Sequence, residues 1–191
     1  MNIYFFFIKL HMFAKSLKMN LVKPNYFVFV DGGALRNGKK DAIAGYSVHF
    51  ENHSIFNTTK EVTDNPTNNR AELLSILCAF NLINTNYNQF INNKIVIVSD
   101  SMYSINCITS WSNKWLKNGF RTSSGNQVLN KDIIQDLLMI KDEINDKKVD
   151  IVFKHVKSHT VAPIDKNSIE YKIWFYNNLV DSNITTLLKK K

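Results

Sequence analysis

The sequence predicts an α/β fold: a five-stranded mixed sheet, with an antiparallel three-strand meander plus parallel strands, flanked by helices. Three observations carry this expectation. Short β-branched apolar runs, "YFVFVD" at residues 26–31 and "KIVIVSD" at 94–100, read as buried strands rather than helices. Elsewhere the period changes, and Leu73, Ile76, Leu77, Phe80 and Ile83 recur at helical spacing. The order along the chain, βββαβαα(α)βα, implies a mixed sheet with helices on its faces.

Tyr26 to Asp31 is the first strand, and "GGALRNGKKD" is a turn-rich connection with Gly32, Gly33, Asn37 and Gly38 as its signals. Ala42 to Glu51 and Ser54 to Val62 read as the next two strands, which complete the meander. "DNPTNN" is a loop that ends at Asn68 or Asn69, both suitable helix caps. A core-facing helix follows from Arg70, with Glu72 in its first turn. Lys94 to Asp100 is the fourth strand, and "SMYSINCITSW" a helix after it. Asn130 to Asn145 is helical, with Ile133, Leu137, Leu138 and Ile144 inward. Asp150 to Val156 is the fifth strand, and Phe175 to Leu188 the closing helix.

The 191 residues suit one domain with a substantial core, and 45% apolar content marks a globular chain. A net charge of +8 favours a polyanionic partner, nucleic acid before anionic membrane. Cys78 and Cys107 form neither a disulfide framework nor a metal-ligand spacing, which fits a reducing, intracellular setting: cytoplasm, nucleus, or a viral or organelle replication compartment. No stretch is long and apolar enough to span a bilayer, so no membrane partner is expected. Residues 1–24 lack acids and mix aromatics with Lys9, Lys15, Lys18 and Lys23. They read as an N-terminal extension, disordered or preceding a true start at Met19, with a mitochondrial or other targeting leader as the alternative.

Two strands that finish on a carboxylate call for an explanation. As parallel neighbours about 4.8 Å apart, they project Asp31 and Asp100 together from their carboxyl ends, where open α/β sheets place ligands. Carboxylates so close repel unless a cation sits between them, and hard divalent ions such as Mg²⁺ prefer oxygen ligands. Glu72 and Asp181 are further acids. Singly, Glu72 is as well explained as a helix-dipole partner and Asp181 as a solvated helix residue.

The pattern across the chain resembles ribonuclease H, type I. The matching stretches are "VFVDGG", "TNNRAEL", "VSDSMYSINCITSW", "KNGFRTSSGNQVLNKD", "HVKSHT" and "NNLVD", in that family's order. The resemblance implies a ribonuclease H-like fold and makes residues 25–191 the catalytic domain. It implies an endonuclease that cuts the RNA strand of RNA–DNA hybrids by two-metal-ion chemistry, leaving 5′-phosphate and 3′-hydroxyl ends. Asp31, Glu72, Asp100 and Asp181 would hold two Mg²⁺ ions, with Mn²⁺ as a substitute, and His159 would be a mobile histidine assisting proton movement or product release.

The partner implied is the RNA–DNA hybrid duplex, bound by a monomer with no obligate protein partner. Asn37, Asn68 and Asn69 would face the RNA strand, whose 2′-hydroxyl an amide can both donate to and accept from. Turn and cap chemistry explains any one of them equally well. Trp111, Trp115 and Phe120 interleave with Lys114, Lys117 and Arg121, as stacking plus phosphate neutralisation requires. Core packing is the rival for Trp111. By the same resemblance Thr67 and Asn130 would form a DNA-phosphate pocket, with Thr122 and Ser123 nearby.

Two departures from the family stand out. Asn65 occupies a position that is usually arginine in the phosphate pocket. "VAPIDKNSIEYKIWFY" replaces a short Gly-rich connection before Asp181, and either extends the last helix or forms a lid. Two other readings are a catalytically inactive hybrid-binding module and a reverse-transcriptase-derived ribonuclease H domain. Retention of all four acids argues against the first, and the Trp111-to-Asn130 protrusion against the second.

Overall fold

The computed structural model describes residues 25–190; the targeting and start-site expectations for residues 1–24 lie outside them. Five strands form one mixed sheet: β1 (Asn25–Leu35), β2 (Ile43–Phe50), β3 (Thr58–Val62), β4 (Lys94–Ser99) and β5 (Asp150–His155), in the order β3-β2-β1-β4-β5. The β1–β2 and β2–β3 pairs are antiparallel, while β1–β4 and β4–β5 are parallel. The helices are α1 (Asn68–Thr85), α2 (Met102–Ile108), α3 (Ser112–Asn118), α4 (Lys131–Asp146) and α5 (Ile169–Leu188).

Period-two alternation along the central strands divides the core into two layers. Val28, Val30, Ile95 and Ile97 face one side, where they pack with Leu73, Ile76, Phe80 and Ile83 of α1 and Ile134 and Leu137 of α4. Phe29, Val96 and Val98 face the other side, against Ile173 and Val180 of α5. The central strands are thus apolar on both faces, which is why they read as unbroken runs. Each fully buried Ile, Leu or Phe contributes about 1.5–3 kcal/mol through area removed from water.

Four boundaries differ from the sequence expectation. β1 does not end at Asp31 but runs on through both glycines to Leu35, because β2 continues to pair with it as far as Leu35↔Ile43. Ser54–Phe56 is a turn of 3₁₀ helix rather than strand, and β3 starts at Thr58. Thr67, not Asn68 or Asn69, caps α1, its Oγ1 accepting from the Arg70 backbone N–H at 3.3 Å. Glu72 therefore lies one turn in from the helix start rather than in the first turn.

The last helix begins at Ile169, six residues before the expected Phe175, with the Ser168 hydroxyl accepting from the Tyr171 N–H. The apolar half of the inserted segment is therefore helix, and its buried Ile173 joins the core beneath the sheet. The Trp174 indole donates to the Thr160 carbonyl at 2.9 Å, and Lys172 pairs with Glu51 at 2.7 Å. These contacts tie the extended helix to the loop that follows β5 and to the end of β2.

Candidate active site

The topology opens a site where the parallel pairing stops. β1 and β4 pair from Asn25↔Lys94 to Phe29↔Val98, so Asp31 stands two residues beyond the last pair and Asp100 directly after β4. Asp31 is 6% exposed, and one of its oxygens accepts from the Gly32 N–H at 2.7 Å. Glu72, also 6% exposed, reaches the same point from α1. Gly32 makes this possible: a Cβ there would lie 2.2 Å from the Ala71 carbonyl carbon and from the Glu72 nitrogen. Strand and helix backbones touch, and only glycine fits between them.

One carboxylate oxygen from each of Asp31, Glu72 and Asp100 lies within 4.8 Å of the others. Asp181, on α5, lines the same cleft of about 500 Å³. Burial, then the charges of Asp100 and Asp181, push the Asp31 carboxyl up to about 8. Burial and the charges of Asp31 and Asp100 raise Glu72 well above the ordinary carboxyl range. Burial also raises Asp100, against a lowering hydrogen bond from Ser158.

The second oxygen of Glu72 is buried with no hydrogen-bond partner. An orphaned carboxylate oxygen beside two other carboxylates fits a hard divalent cation, which prefers oxygen ligands and relieves their repulsion. Mg²⁺ at about 100 times its dissociation constant is accordingly expected to stabilise the protein by about 2.7 kcal/mol. At this size that is a rise of roughly 5–10 °C in Tm, reversed by EDTA. An unchanged Tm across a Mg²⁺ and Mn²⁺ titration would show that the cluster holds no cation.

His159 and Ser158 line the same cleft from the exposed loop after β5, with Ser158 bonded to Asp100. His159 sits in the left-handed region, with φ +53°. His155, which precedes this loop, places Nε2 3.1 Å from the Asp100 carbonyl and braces the loop's start against the site. Asn68 also lines the cleft. Asn37 accepts from the Asn68 N–H through its side-chain oxygen at 3.0 Å, so it caps α1 from the β1–β2 connection.

The RNase H family profile matches residues 23–169 of the chain, most of its length. The chain belongs to the RNase H family. It is 40% identical over 134 residues to ribonuclease H of Schizosaccharomyces pombe, a match covering 70% of this chain and 46% of that protein. To ribonuclease H1 of Rattus norvegicus it is 37% identical over 133 residues, covering 70% and 44%. The chain thus spans less than half the length of these relatives. Among solved structures, the RNase H domain of PFV superposes with a TM-score of 0.61 at 18% identity, covering 85% of this chain and 94% of that one. That likeness shows the shared fold. Asp181 lies beyond the family match, and its place rests on α5 presenting it to the cleft.

This RNase H family chain carries a second cavity, at the start of α1, lined by Asn37, Thr67, Asn69 and Asn130 together with Asp64 and Arg70. Asn130 is left-handed at φ +55° and accepts from Arg70 at 3.4 Å. In the protrusion, Trp111 is 39% exposed and its ring meets those of Tyr103 and Trp115 at 6.0 and 5.6 Å. Phe120, by contrast, is 4% exposed and packs in the core beside Trp115, with Lys131 over its ring. Its ring has no open face for a nucleic acid, so the aromatic surface narrows to Trp111 and Trp115. Thr122 and Ser123 belong to a tight turn, in which Thr122 bonds the Ser124 hydroxyl at 2.9 Å.

Sequence reasoning missed Gly32 as a close-approach residue and Arg70 as the centre of a charge network. A glycine continuing a strand pattern was the available signal for the first. Nothing local announces the second, whose partners Asp64 and Asp132 stand six and 62 residues away.

Proposed function

We propose that this chain is an endonuclease that hydrolyses the RNA strand of RNA–DNA hybrids, leaving 5′-phosphate and 3′-hydroxyl ends. The observation that carries this reading is the triad of mutually close, desolvated carboxylates with an orphaned oxygen on Glu72, set in a chain of net charge +8. A basic protein gains nothing as a mere polyanion binder from burying repelling acids where the polyanion would lie. Asp31, Glu72, Asp100 and Asp181 would hold two Mg²⁺ ions, or Mn²⁺ in their place, and the metal would supply charge neutralisation and activation of the attacking water.

The chain's own groups do the rest. Asn68, within the cleft, offers an amide that donates to and accepts from a 2′-hydroxyl, the group that separates RNA from DNA. Asn37, its carbonyl engaged by the cap, keeps its amide N–H groups to donate, and Asn69 stands exposed beside it. His159, at the cleft rim, moves a proton or helps release the cut strand. On the DNA strand, Trp111 and Trp115 offer ring faces flanked by exposed Lys114 and Lys117. Thr67 and Asn130 form a phosphate pocket, with Thr122 and Ser123 at its margin. The domain acts as a monomer inside the cell, on hybrids rather than at a membrane.

The deciding assay incubates the protein with a labelled RNA–DNA hybrid, matched double-stranded RNA and matched double-stranded DNA, in Mg²⁺ and in EDTA, beside Asp100→Asn. Metal-dependent cutting of the hybrid's RNA strand alone, lost in the variant, is the expected outcome. Tight hybrid binding without cutting in either Mg²⁺ or Mn²⁺ would sink the enzyme reading in favour of a binding module.

A further inference from the structure

The cavity at the start of α1 holds donors suited to a phosphate, yet both terminal nitrogens of its one guanidinium are already engaged. Arg70 has five N–H groups. One Nη donates to Asp132 at 3.2 Å and to Asn130 at 3.4 Å; the other donates to Asp132 at 2.7 Å and to Asp64 at 3.1 Å. The fifth, on Nε, is buried without a partner. The forked pair with Asp132 already balances the arginine's charge. Asp64 is therefore surplus: a second carboxylate, its side chain 73% exposed, at the mouth of the cavity.

The backbone holds Asp64 there. Asn65 is left-handed at φ +47°, a conformation asparagine tolerates, and its amide donates to the other Asp64 oxygen at 3.0 Å. One carboxylate oxygen thus faces Arg70 and the other is pinned by its neighbour. The pocket carries one positive charge against two negative ones, while basic surface lies on the protrusion at Lys114 and Lys117.

We propose that Asp64 is a specificity-determining brake on this phosphate subsite, which holds Arg70 away from the duplex and shifts the grip on the DNA strand to the protrusion. The inference rests on the DNA-strand role given to Thr67 and Asn130 above. Neutralising Asp64 removes the surplus charge and turns a charge-assisted hold on one Arg70 N–H into a weaker neutral one, so the subsite gains one phosphate contact.

The test measures hybrid affinity in Ca²⁺ across a salt series for the wild type, Asp64→Asn and Asp146→Asn, an exposed acid at the far end of α4. Asp64→Asn is expected to bind about 3–10-fold tighter, with the salt slope steeper by about 0.9, the increment for one added phosphate contact. Asp146→Asn is expected to match the wild type. A single methylphosphonate, scanned along the DNA strand, should weaken the Asp64→Asn complex at one position by more than it weakens the wild type there. Unchanged or weaker binding by Asp64→Asn, or no DNA-strand position at which the methylphosphonate costs the variant more than the wild type, overturns the proposal. Wild-type cutting of the same hybrid in Mg²⁺ separates the two claims. Cutting with no gain in Asp64→Asn affinity overturns the brake alone, whereas a wild type that neither binds nor cuts overturns both.

Discussion

Asp31→Asn is expected to abolish hybrid cleavage and, in the same protein, to raise stability in the absence of metal at neutral pH. The two effects have one cause. Asp31 is almost fully buried, faces Asp100 and Asp181, and has its carboxyl pushed up to about 8. Its folded pKa exceeds the unfolded value, so the native state binds the extra proton. Stability from this group is fully present below about pH 4 and is lost as pH rises towards 8. Glu72 and Asp100 are raised for the same reasons and add to the same trend.

Asparagine keeps the shape and removes the charge. Chemical denaturation in EDTA at pH 7.5 should show Asp31→Asn more stable than the wild type by about 1–3 kcal/mol, with the gap closing towards pH 4. Cleavage should fall by more than about 100-fold, since even residues that only support metal ligands cost 10–100-fold. A variant less stable than the wild type in EDTA at neutral pH would show that Asp31 is held by something other than a cation.

Gly32→Ala is expected to cost more stability than any other single-methyl addition at a glycine of the described chain. The new Cβ would sit 2.2 Å from two backbone atoms of α1 and 2.6 Å from the Glu72 Cα. Backbone cannot rotate away as a side chain can, so β1 and α1 must separate across the centre of the core. Overpacking usually costs about 1–3 kcal/mol, and a clash with main chain on both sides of a site belongs at or beyond that upper end. Gly33→Ala is the internal comparison, because its Cβ would meet only the Ile184 Cγ2 at 3.2 Å, a side chain that can give. Urea midpoints should therefore rank wild type, then Gly33→Ala, then Gly32→Ala far below. Near-equal midpoints for the two variants would contradict the backbone contact described at Gly32.

Local signals made much of this legible. Alternation and β-branching along 26–31 and 94–100 marked the central strands, and helical spacing from Leu73 to Ile83 marked the helix that crosses them. Those features depend only on a residue and its near neighbours, and the structure has strands and helix there. The RNase H family pattern was legible too, because its motifs are contiguous stretches.

What failed were judgements that depend on a distant partner. Gly32 and Gly33 looked like a turn because glycine breaks local order, but β2 pairs with them and α1 presses against the first. Glu72 read by itself as a first-turn partner of the helix dipole, whereas it lies one turn in, buried where Gly32 of β1 touches the helix backbone. Phe120 interleaved with Lys117 and Arg121 and read as a stacking residue, yet it is buried beside Trp115 and in the core.

The chain's sequence alone thus determined the order of strands and helices and the family, since each is written in residues a few positions apart. Only the tertiary structure decided where β1 stops, which oxygens lack partners, and that Arg70 is held by Asp64 and Asp132. Burial and charge pairing are properties of side chains brought together from remote parts of the chain, and spacing along the chain does not encode the distance between them.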